Sequence, residues 1–370
     1  MDARKIKIGF FIDAYKPGAG TENQLRGILQ HLDRDRVDAV LITLREPVTR
    51  QLQSEISWPV KCLQVGSLLS AGAVIKFGKL VKWLRRERFD IAMIYFVDTN
   101  FFVVPACRLA KVKSIVVNRR DMGYWYTPLL LRRLNLVNRL ADYFLVNSES
   151  IKSLVADKER FPLSHIRVVY NGMWDRKTKT ATITREDLGI PSSVPVVGIV
   201  ANLRPVKRLD RFVEMAGLVS KENPDARFLI LGQGDLESDL KRRSNELSLE
   251  QHIMFLGQIE DVGSYLPLFD VGVLTSESEG LSNTLIEYAA AGVPTVAFDI
   301  GGNREVIQDG VSGFLVPDGD TRQMADKIVG IITDNELKQE LSRQSRKSVV
   351  ERLSPESVMR QLMAFFEEIR

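Results

Sequence analysis

The sequence predicts an α/β protein with two doubly wound, Rossmann-like domains that face each other across a cleft. Apolar strand-like runs alternate with amphipathic helical stretches along most of the chain, and the alternation pauses once near the middle. Such alternation is typical of a parallel sheet that is covered by helices on both faces. The length of 370 residues also exceeds the size at which a single hydrophobic core stops growing, which favours two domains.

The first half begins with the apolar run Ile6–Ile12, a Gly-rich turn and a helix from about Thr21. Residues 175–193 are polar, and prolines occur within and just after them at Pro191 and Pro195, which indicates a linker. We therefore predict an N-terminal domain at 1–178, a linker at 179–194, a C-terminal domain at 195–352, and a final helix at 353–370 that is a candidate to pack back on the first domain. Further strands are predicted at 39–44, 91–96, 114–117, 143–146, 166–169, 196–200, 227–231, 252–255, 271–274, 295–298 and 313–316.

Composition and charge exclude several classes of protein. Apolar residues make up 45% and charged residues 26% of the chain, as in soluble globular proteins. No apolar run reaches the ~18 residues that span a bilayer, and Asp13 interrupts the first apolar run too early for a secretory signal. Cys62 and Cys107 lack metal or redox spacing. We expect a cytoplasmic protein without a nucleic-acid partner.

The most informative stretch is residues 275–292, which read TSESEGLSNTLIEYAAAG. It follows the strand-like run Val271–Leu274 and ends in helical spacing, so Glu279 and Glu287 bracket a strand-to-helix turn. Backbone amides and the positive end of a helix dipole attract anions at such a turn. The amides expected there are those of Gly280, Leu281, Ser282 and Asn283. The sequence therefore predicts a phosphate site.

A structural explanation of the same residues stays open. The stretch from Thr284 to Glu287 fits a capping box, in which Glu287 only satisfies amides at the helix start. Glu279 could then be an ordinary solvated acid in the loop.

A second motif, ANLRPVKR at 201–208, directly follows the strand Val196–Val200. Arg204 and Lys207 would therefore project from the carboxyl end of a strand, where ligands bind in doubly wound sheets. Fixed cations at such a place stabilise negative charge that develops on a leaving group. A solvated basic loop is the alternative, and the position after a strand argues against it.

Together, these two motifs resemble the donor-site signature of glycosyltransferase family 4. The resemblance implies the GT-B fold and a retaining, metal-independent hexosyl- or glycosyltransferase. Its donor would be a nucleotide sugar, expected to be UDP-linked, with no further cofactor. Its acceptor would be a hydroxyl of a glycan or lipid-linked glycan in cell-surface polysaccharide synthesis. Two alternatives are a GT-B nucleotide-sugar epimerase and a non-catalytic subunit that binds a nucleotide sugar.

The resemblance also implies roles for individual residues, with the donor in the C-terminal domain and the acceptor beside the N-terminal one. Arg204 and Lys207 would hold the diphosphate, Glu287 the ribose hydroxyls and Glu279 the donor sugar. Further donor contacts are expected from Gly20, Gly257, Gly280, Leu281, Ser282 and Asn283.

The chain departs from the family pattern after the strand at 114–117. Many family members have a histidine there, whereas this chain reads NRRDMG at 118–123. Asp121 is the nearest polar candidate for a catalytic role on the acceptor side. It could equally pair with Arg119 or Arg120.

Two further features concern metals and membranes. Each of the Asp-x-Asp triplets, at 33–35 and 318–320, falls in a turn, so no metal site is expected. The basic, Leu-containing stretches 76–88 and 129–139 suggest peripheral contact with the anionic inner face of a membrane. Solvated helix faces with a buried Leu side are the alternative.

Overall fold

The computed structural model describes residues 4–15, 20–174 and 183–370. The chain divides into two compact units, of which unit 1 comprises Met1–Trp174 and Pro355–Arg370, and unit 2 comprises Asp175–Ser354. Each unit contains one sheet in which every described pairing is parallel. The predicted α/β class with two Rossmann-like sheets is confirmed.

Unit 1 contains a seven-stranded sheet in the order β3-β2-β1-β4-β5-β6-β7. Its strands are β1 (Ile6–Ile12), β2 (Val37–Thr43), β3 (Val60–Cys62), β4 (Ile91–Ile94), β5 (Ser114–Arg119), β6 (Tyr143–Val146) and β7 (Ile166–Val168). The helices before the unit boundary are α1 (Gly20–His31), α2 (Arg50–Ile56), α3 (Ala71–Glu87), α4 (Val97–Ala110), α5 (Pro128–Asn138) and α6 (Glu149–Lys158).

Unit 2 contains a six-stranded sheet in the order β10-β9-β8-β11-β12-β13. Its strands are β8 (Val196–Val200), β9 (Arg227–Leu231), β10 (Ile253–Gly257), β11 (Val271–Leu274), β12 (Thr295–Phe298) and β13 (Phe314–Val316). Its helices are α7 (Leu209–Glu222), α8 (Glu237–Glu246), α9 (Asn283–Ala291), α10 (Thr321–Thr333) and α11 (Asn335–Val350), and the final helix α12 (Pro355–Ile369) belongs to unit 1.

The strand order of unit 2 reverses between β8 and β11. From β8 the chain adds β9 and β10 on one side, and then β11, β12 and β13 on the other. The helices that follow β8 and β11 therefore cover opposite faces, which leaves a crevice at the carboxyl ends of these two strands. Doubly wound sheets bind ligands at such a switch point.

The two faces of the first sheet explain why its strands are almost uniformly apolar. In β1, Ile8 and Phe10 pack into one core cluster, whereas Phe11 packs into another on the opposite face. Successive side chains of a strand point to opposite faces of the sheet. A sheet covered by helices on both faces therefore needs apolar residues at odd and even positions of its strands. The helix α12 supplies Leu362 and Phe366 to the first of these clusters.

Some boundaries differ from the predicted ones. Sequence reasoning missed β3, which has three residues with Lys61 in the middle and therefore carries almost no apolar pattern. The strand predicted to run through residue 96 ends at Ile94, because Phe96 has a φ of 65° and precedes α4. Residues 175–182 of the predicted linker lie outside the described part of the chain. None of the described helices is long and apolar enough to cross a membrane.

Candidate functional site

The loops that follow β8 and β11 are joined by direct contacts between the two predicted motifs. Lys207 Nζ donates to Glu279 Oε1 at 2.6 Å. The hydroxyl of Thr275 donates to the carbonyl oxygen of Lys207 at 2.9 Å, and the amide of Glu277 donates to that of Val206 at 3.0 Å. The structure therefore brings the basic motif and the glutamate motif together at the switch point.

The three cations of the basic motif differ in their surroundings. Arg204 is exposed and forms no ion pair with any described residue. The side chain of Lys207 is 26% exposed and that of Glu279 only 11%. The backbone of Arg208 is in the left-handed region, with a φ of 47°. Its side chain forms ion pairs with Asp210 and Glu277. Arg204 and Lys207 are thus the cations that remain at the end of β8.

The helix α9 begins at Asn283, and its N-cap is Ser282. The hydroxyl of Ser282 accepts a hydrogen bond from the amide of Leu285 at 3.3 Å. Thr284 instead lies inside the helix and donates to the carbonyl oxygen of Val200 at 3.3 Å. The capping-box alternative with Thr284 as the cap is therefore wrong, and Glu287 lies half-buried one turn farther along the helix.

Tyr288 ties α9 to the end of β8, a role that the sequence did not reveal. Its fully buried hydroxyl accepts a hydrogen bond from the amide of Val200 at 2.8 Å. Burial raises the pKa of this hydroxyl above its ordinary value, so it stays protonated. The ring also leaves no space for a side chain at Gly272, where a Cβ would lie 2.6 Å from Tyr288 Cδ2. Tyr288 thus joins α9 to β8 and packs against β11.

Two glycines after β9 allow the loop after β8 to lie against them. A Cβ at Gly232, which has a φ of 143°, would lie 1.9 Å from the carbonyl oxygen of Ala201. A Cβ at Gly234 would lie 2.5 Å from that of Leu203. This close backbone approach needs glycine at both positions. Gly257 ends β10, and its carbonyl oxygen accepts the amide of Gly232 at 2.8 Å.

In unit 1, Gly20 is the first residue of α1, and the preceding glycine turn at 16–19 lies outside the described residues. Asp121 follows β5 and accepts hydrogen bonds on Oδ1 from the amide of Gly123 and from Trp125 Nε1, both at 2.8 Å. It is not the ion-pair partner of its neighbours. Arg119 pairs with Glu159 at 2.7 Å, and Arg120 donates to the side chain of Asn171 at 2.8 Å.

The acidic triplets have structural partners. Asp33 accepts the amide of Asp35 in the turn after α1, Asp318 pairs with Arg211, and Asp320 caps α10. Across residues 4–15, 20–174 and 183–370, no three His, Cys, Asp or Glu side chains form a group that could hold a metal ion.

Family models match both halves of the chain. The model described as Glycosyltransferase Family 4 matches residues 18–173, and the model described as Glycosyl transferases group 1 matches residues 181–348. The second match contains both motifs of the switch point.

Individual relatives and solved structures agree with these models. The chain is 30% identical over 210 residues to N-acetyl-alpha-D-glucosaminyl L-malate synthase of Bacillus anthracis, a match to 56% of this chain and 55% of that protein. It is 26% identical over 313 residues to an alpha-1,3-galactosyltransferase of Escherichia coli that acts on a GlcNAc-diphosphoundecaprenol, covering 79% of this chain and 78% of that one. The chain thus spans about half the length of the first relative.

The crystal structure of HepE from Anabaena in complex with UDP shares the fold. Its TM-score is 0.86 at 22% identity, with 98% of this chain and all of that chain covered. The two family models assign the chain to a family. The sheet order and the contacts between the motifs after β8 and β11 agree with that assignment. The chain belongs to the family 4 type of GT-B glycosyltransferases.

Proposed function

We propose that the chain is a retaining glycosyltransferase that moves a sugar from a UDP-linked donor to a hydroxyl of a glycan or lipid-linked glycan. The observation that carries the proposal is the junction at the switch point of unit 2. There, Arg204 and Lys207 follow β8, and Glu279 and Glu287 lie at and beyond the turn after β11. The names of the relatives support a role in cell-surface glycan synthesis.

The donor diphosphate would bind at the end of β8, beside the first turn of α9. Breaking the bond to the sugar leaves extra negative charge on the diphosphate, which Arg204, Lys207 and the helix dipole stabilise. The backbone of this turn is fixed before the reaction, because Thr275 and Glu277 donate hydrogen bonds to the carbonyl oxygens of Lys207 and Val206. Amides at Gly280, Leu281, Ser282 and Asn283 would contact the donor beside them.

The ion pair between Lys207 and Glu279 suggests how the donor organises the site. In the structure, Glu279 neutralises the ammonium group of Lys207 at 2.6 Å. A bound diphosphate competes for the same ammonium group, and this releases Glu279 to accept hydrogen bonds from the sugar hydroxyls. Glu287, which is half-buried on α9, would accept hydrogen bonds from the ribose.

The proton of the acceptor hydroxyl needs an acceptor of its own. In a retaining reaction, the departing phosphate can receive this proton, because the acceptor hydroxyl approaches on the same face of the sugar from which the phosphate leaves. No histidine is needed for that step, and Asp121 would orient the acceptor. Its Oδ1 already accepts two hydrogen bonds, which hold the carboxylate in place.

The proposal is tested by incubating the full chain with UDP, GDP and ADP sugars. A donor that binds the folded state raises the melting temperature, and Glu287→Ala should abolish this rise for the matching nucleotide sugar. Transfer to a glycan acceptor should retain the anomeric configuration and survive EDTA. An isomerised donor without acceptor would instead identify an epimerase, and binding without any turnover would identify a non-catalytic subunit.

A further inference from the structure

Unit 1 contains a small cavity that the donor site does not use. Its volume is about 70 Å³, whereas a single water needs roughly 10–15 Å³ on the same measure. It lies at the carboxyl ends of β4 and β5, next to the first turn of α1. Its polar and aromatic lining includes Thr21, Tyr95, Asn118, Arg120, Asp121 and Trp125.

Arg120 brings a positive charge to this cavity without a carboxylate partner among the described residues. Its Nη1 donates to the neutral side chain of Asn171, and its Cζ lies 5.8 Å from the ring centroid of Tyr95. Its Nε is buried and makes no hydrogen bond. Burial lowers the pKa of the Arg120 guanidinium, and the nearby Tyr95 only partly offsets this. Arg120 is half-buried as a residue, and a cation withdrawn from water in this way is costly unless an anion accompanies it.

The neighbouring Arg119 shows the contrast. Glu159 accepts both of its forked hydrogen bonds, at 2.7 and 2.9 Å, and also accepts from Tyr126 and Asn138. The charge of Arg119 is therefore satisfied inside the protein, where it stabilises the loop after β5. The charge of Arg120 has no such partner, although the two residues are adjacent.

Asn118 adds an unsatisfied acceptor to the same cavity. The residue is 4% exposed, and its Nδ2 donates to the carbonyl oxygen of Ile94 at 3.2 Å, which fixes the orientation of the amide. Its Oδ1 has no hydrogen-bond partner. A buried acceptor without a donor loses the hydrogen bonds it had in water. A ligand hydroxyl would restore one.

We propose that this cavity binds the part of the acceptor that carries an oxyanion beside a hydroxyl. The carboxylate or phosphate would pair with the guanidinium of Arg120, and the hydroxyl would donate to Asn118 Oδ1. A guanidinium suits both oxyanions because its planar N–H groups match two oxygens at once. This inference rests on the proposed function, since it defines the chemical class of the acceptor.

The test uses the full chain saturated with UDP, so that an added anion cannot occupy the diphosphate site. Glycolate, sn-glycerol 3-phosphate and neutral glycerol are titrated, and tryptophan fluorescence is followed. Trp125 borders the cavity, so Trp125→Phe should remove the signal. We expect one or both anions to bind and glycerol to have no effect. The preferred anion distinguishes a carboxylate acceptor from a phosphate acceptor.

Arg120→Gln should weaken binding of the preferred anion by about tenfold or more, because a hydrogen bond to a charged group is lost. Arg120→Lys keeps the charge and should weaken it less, which provides a second variant if the glutamine variant does not fold. Lys158→Gln removes an exposed cation elsewhere in unit 1 and should change nothing.

Equal anion binding by the wild type and Arg120→Gln would overturn the proposal, as would no binding of either anion. The stabilisation by UDP is measured on the same proteins. A wild-type protein that UDP does not stabilise would count against the proposed function. A wild-type protein that UDP stabilises but that binds neither anion would count only against the proposed acceptor cavity.

Discussion

At the scale of single residues, the cations after β8 are the first test of the diphosphate assignment. Arg204→Ala and Lys207→Ala should each lower the turnover number about 10²–10³-fold, because a fixed charge stabiliser is lost where negative charge develops. Arg242→Ala, which removes an exposed cation on α8, is the matched control. Steady-state kinetics with the identified donor provide the measurement, and wild-type turnover in both site variants would remove the assignment.

Asp121 is the second residue-scale case. Asp121→Asn should keep the affinity for the donor and lose part of the transfer rate, since an amide orients an acceptor hydroxyl less strongly than a carboxylate. Trp125→Phe removes one hydrogen bond to Asp121 without changing its charge. Donor affinity and transfer rate are measured for both. If Asp121→Asn transfers sugar at the wild-type rate, Asp121 serves only to hold its own loop.

At the scale of elements, the close approach between the loops after β8 and β9 determines how the cations are presented. Gly232→Ala would place a Cβ 1.9 Å from the carbonyl oxygen of Ala201 at a φ of 143°. We expect it to lower the free energy of unfolding by more than about 1 kcal/mol, because alanine disfavours this backbone conformation. It should also weaken nucleotide binding by displacing the segment that leads to Arg204.

Gly330→Ala is the control for this change. Gly330 lies within α10, and a Cβ there meets no atom within 4 Å. Alanine should therefore raise the helix stability by up to about 1 kcal/mol. Urea unfolding of the two variants should shift in opposite directions. A neutral Gly232→Ala variant would show that the loop after β8 can relax.

At the scale of the whole molecule, the last helix is part of the core of the first unit. Phe366 is fully buried among side chains of unit 1, and the hydroxyl of Ser114 donates to the carbonyl oxygen of Ile369. Phe366→Ala should cost about 3–5 kcal/mol, as such truncations leave a cavity.

The tryptophans allow that loss to be assigned to one unit. All four, at positions 58, 83, 125 and 174, lie in unit 1. Urea unfolding followed by tryptophan fluorescence should therefore move to a lower midpoint in Phe366→Ala. Glu367→Ala, on the exposed side of α12, should leave the midpoint near that of the wild type. An unchanged midpoint in Phe366→Ala would mean that α12 contributes little to this unit.

A membrane surface is the other whole-molecule question. On α3, Val74 and Ile75 are 73% and 62% exposed, and α5 exposes Leu129 and Leu136. Exposed cations flank them, namely Lys79, Lys82, Arg85, Arg86, Arg132 and Arg133. These apolar residues do not belong to the cores, whereas Leu80, Leu84 and Leu134 are buried, as the alternative of solvated helix faces with a buried Leu side expects. We propose that this face of unit 1 binds an anionic membrane reversibly.

The membrane proposal predicts co-sedimentation with vesicles that contain anionic lipid, but not with neutral ones. Each cation near such a surface contributes about 1 kcal/mol. A double variant with Lys79→Gln and Lys82→Gln should therefore bind anionic vesicles more weakly, and high salt should abolish vesicle binding. Lys241→Gln in unit 2 is the control. Equal sedimentation with both kinds of vesicle, or with neither, would refute the proposal.

The sequence by itself determined the fold class and the elements that carry the proposed donor site. Strand-length apolar runs predicted β8 and β11 to the residue, because a strand buried on both faces leaves a continuous apolar signal. The motifs after these strands predicted a phosphate site, since strand ends and helix starts present cations and amides at fixed places. Short β3 was missed because three residues with a central lysine carry no such signal.

Only the tertiary structure decided which of those residues contact each other. Lys207 and Glu279 are 72 positions apart and form an ion pair, and Ser282 rather than Thr284 caps α9 because Thr284 is engaged by β8. Local sequence patterns do not show which of Arg119 and Arg120 has a carboxylate partner, because the two are neighbours with the same side chain. Their difference arises from Glu159, forty residues away, because the charge that a residue presents depends on the partners that folding brings to it.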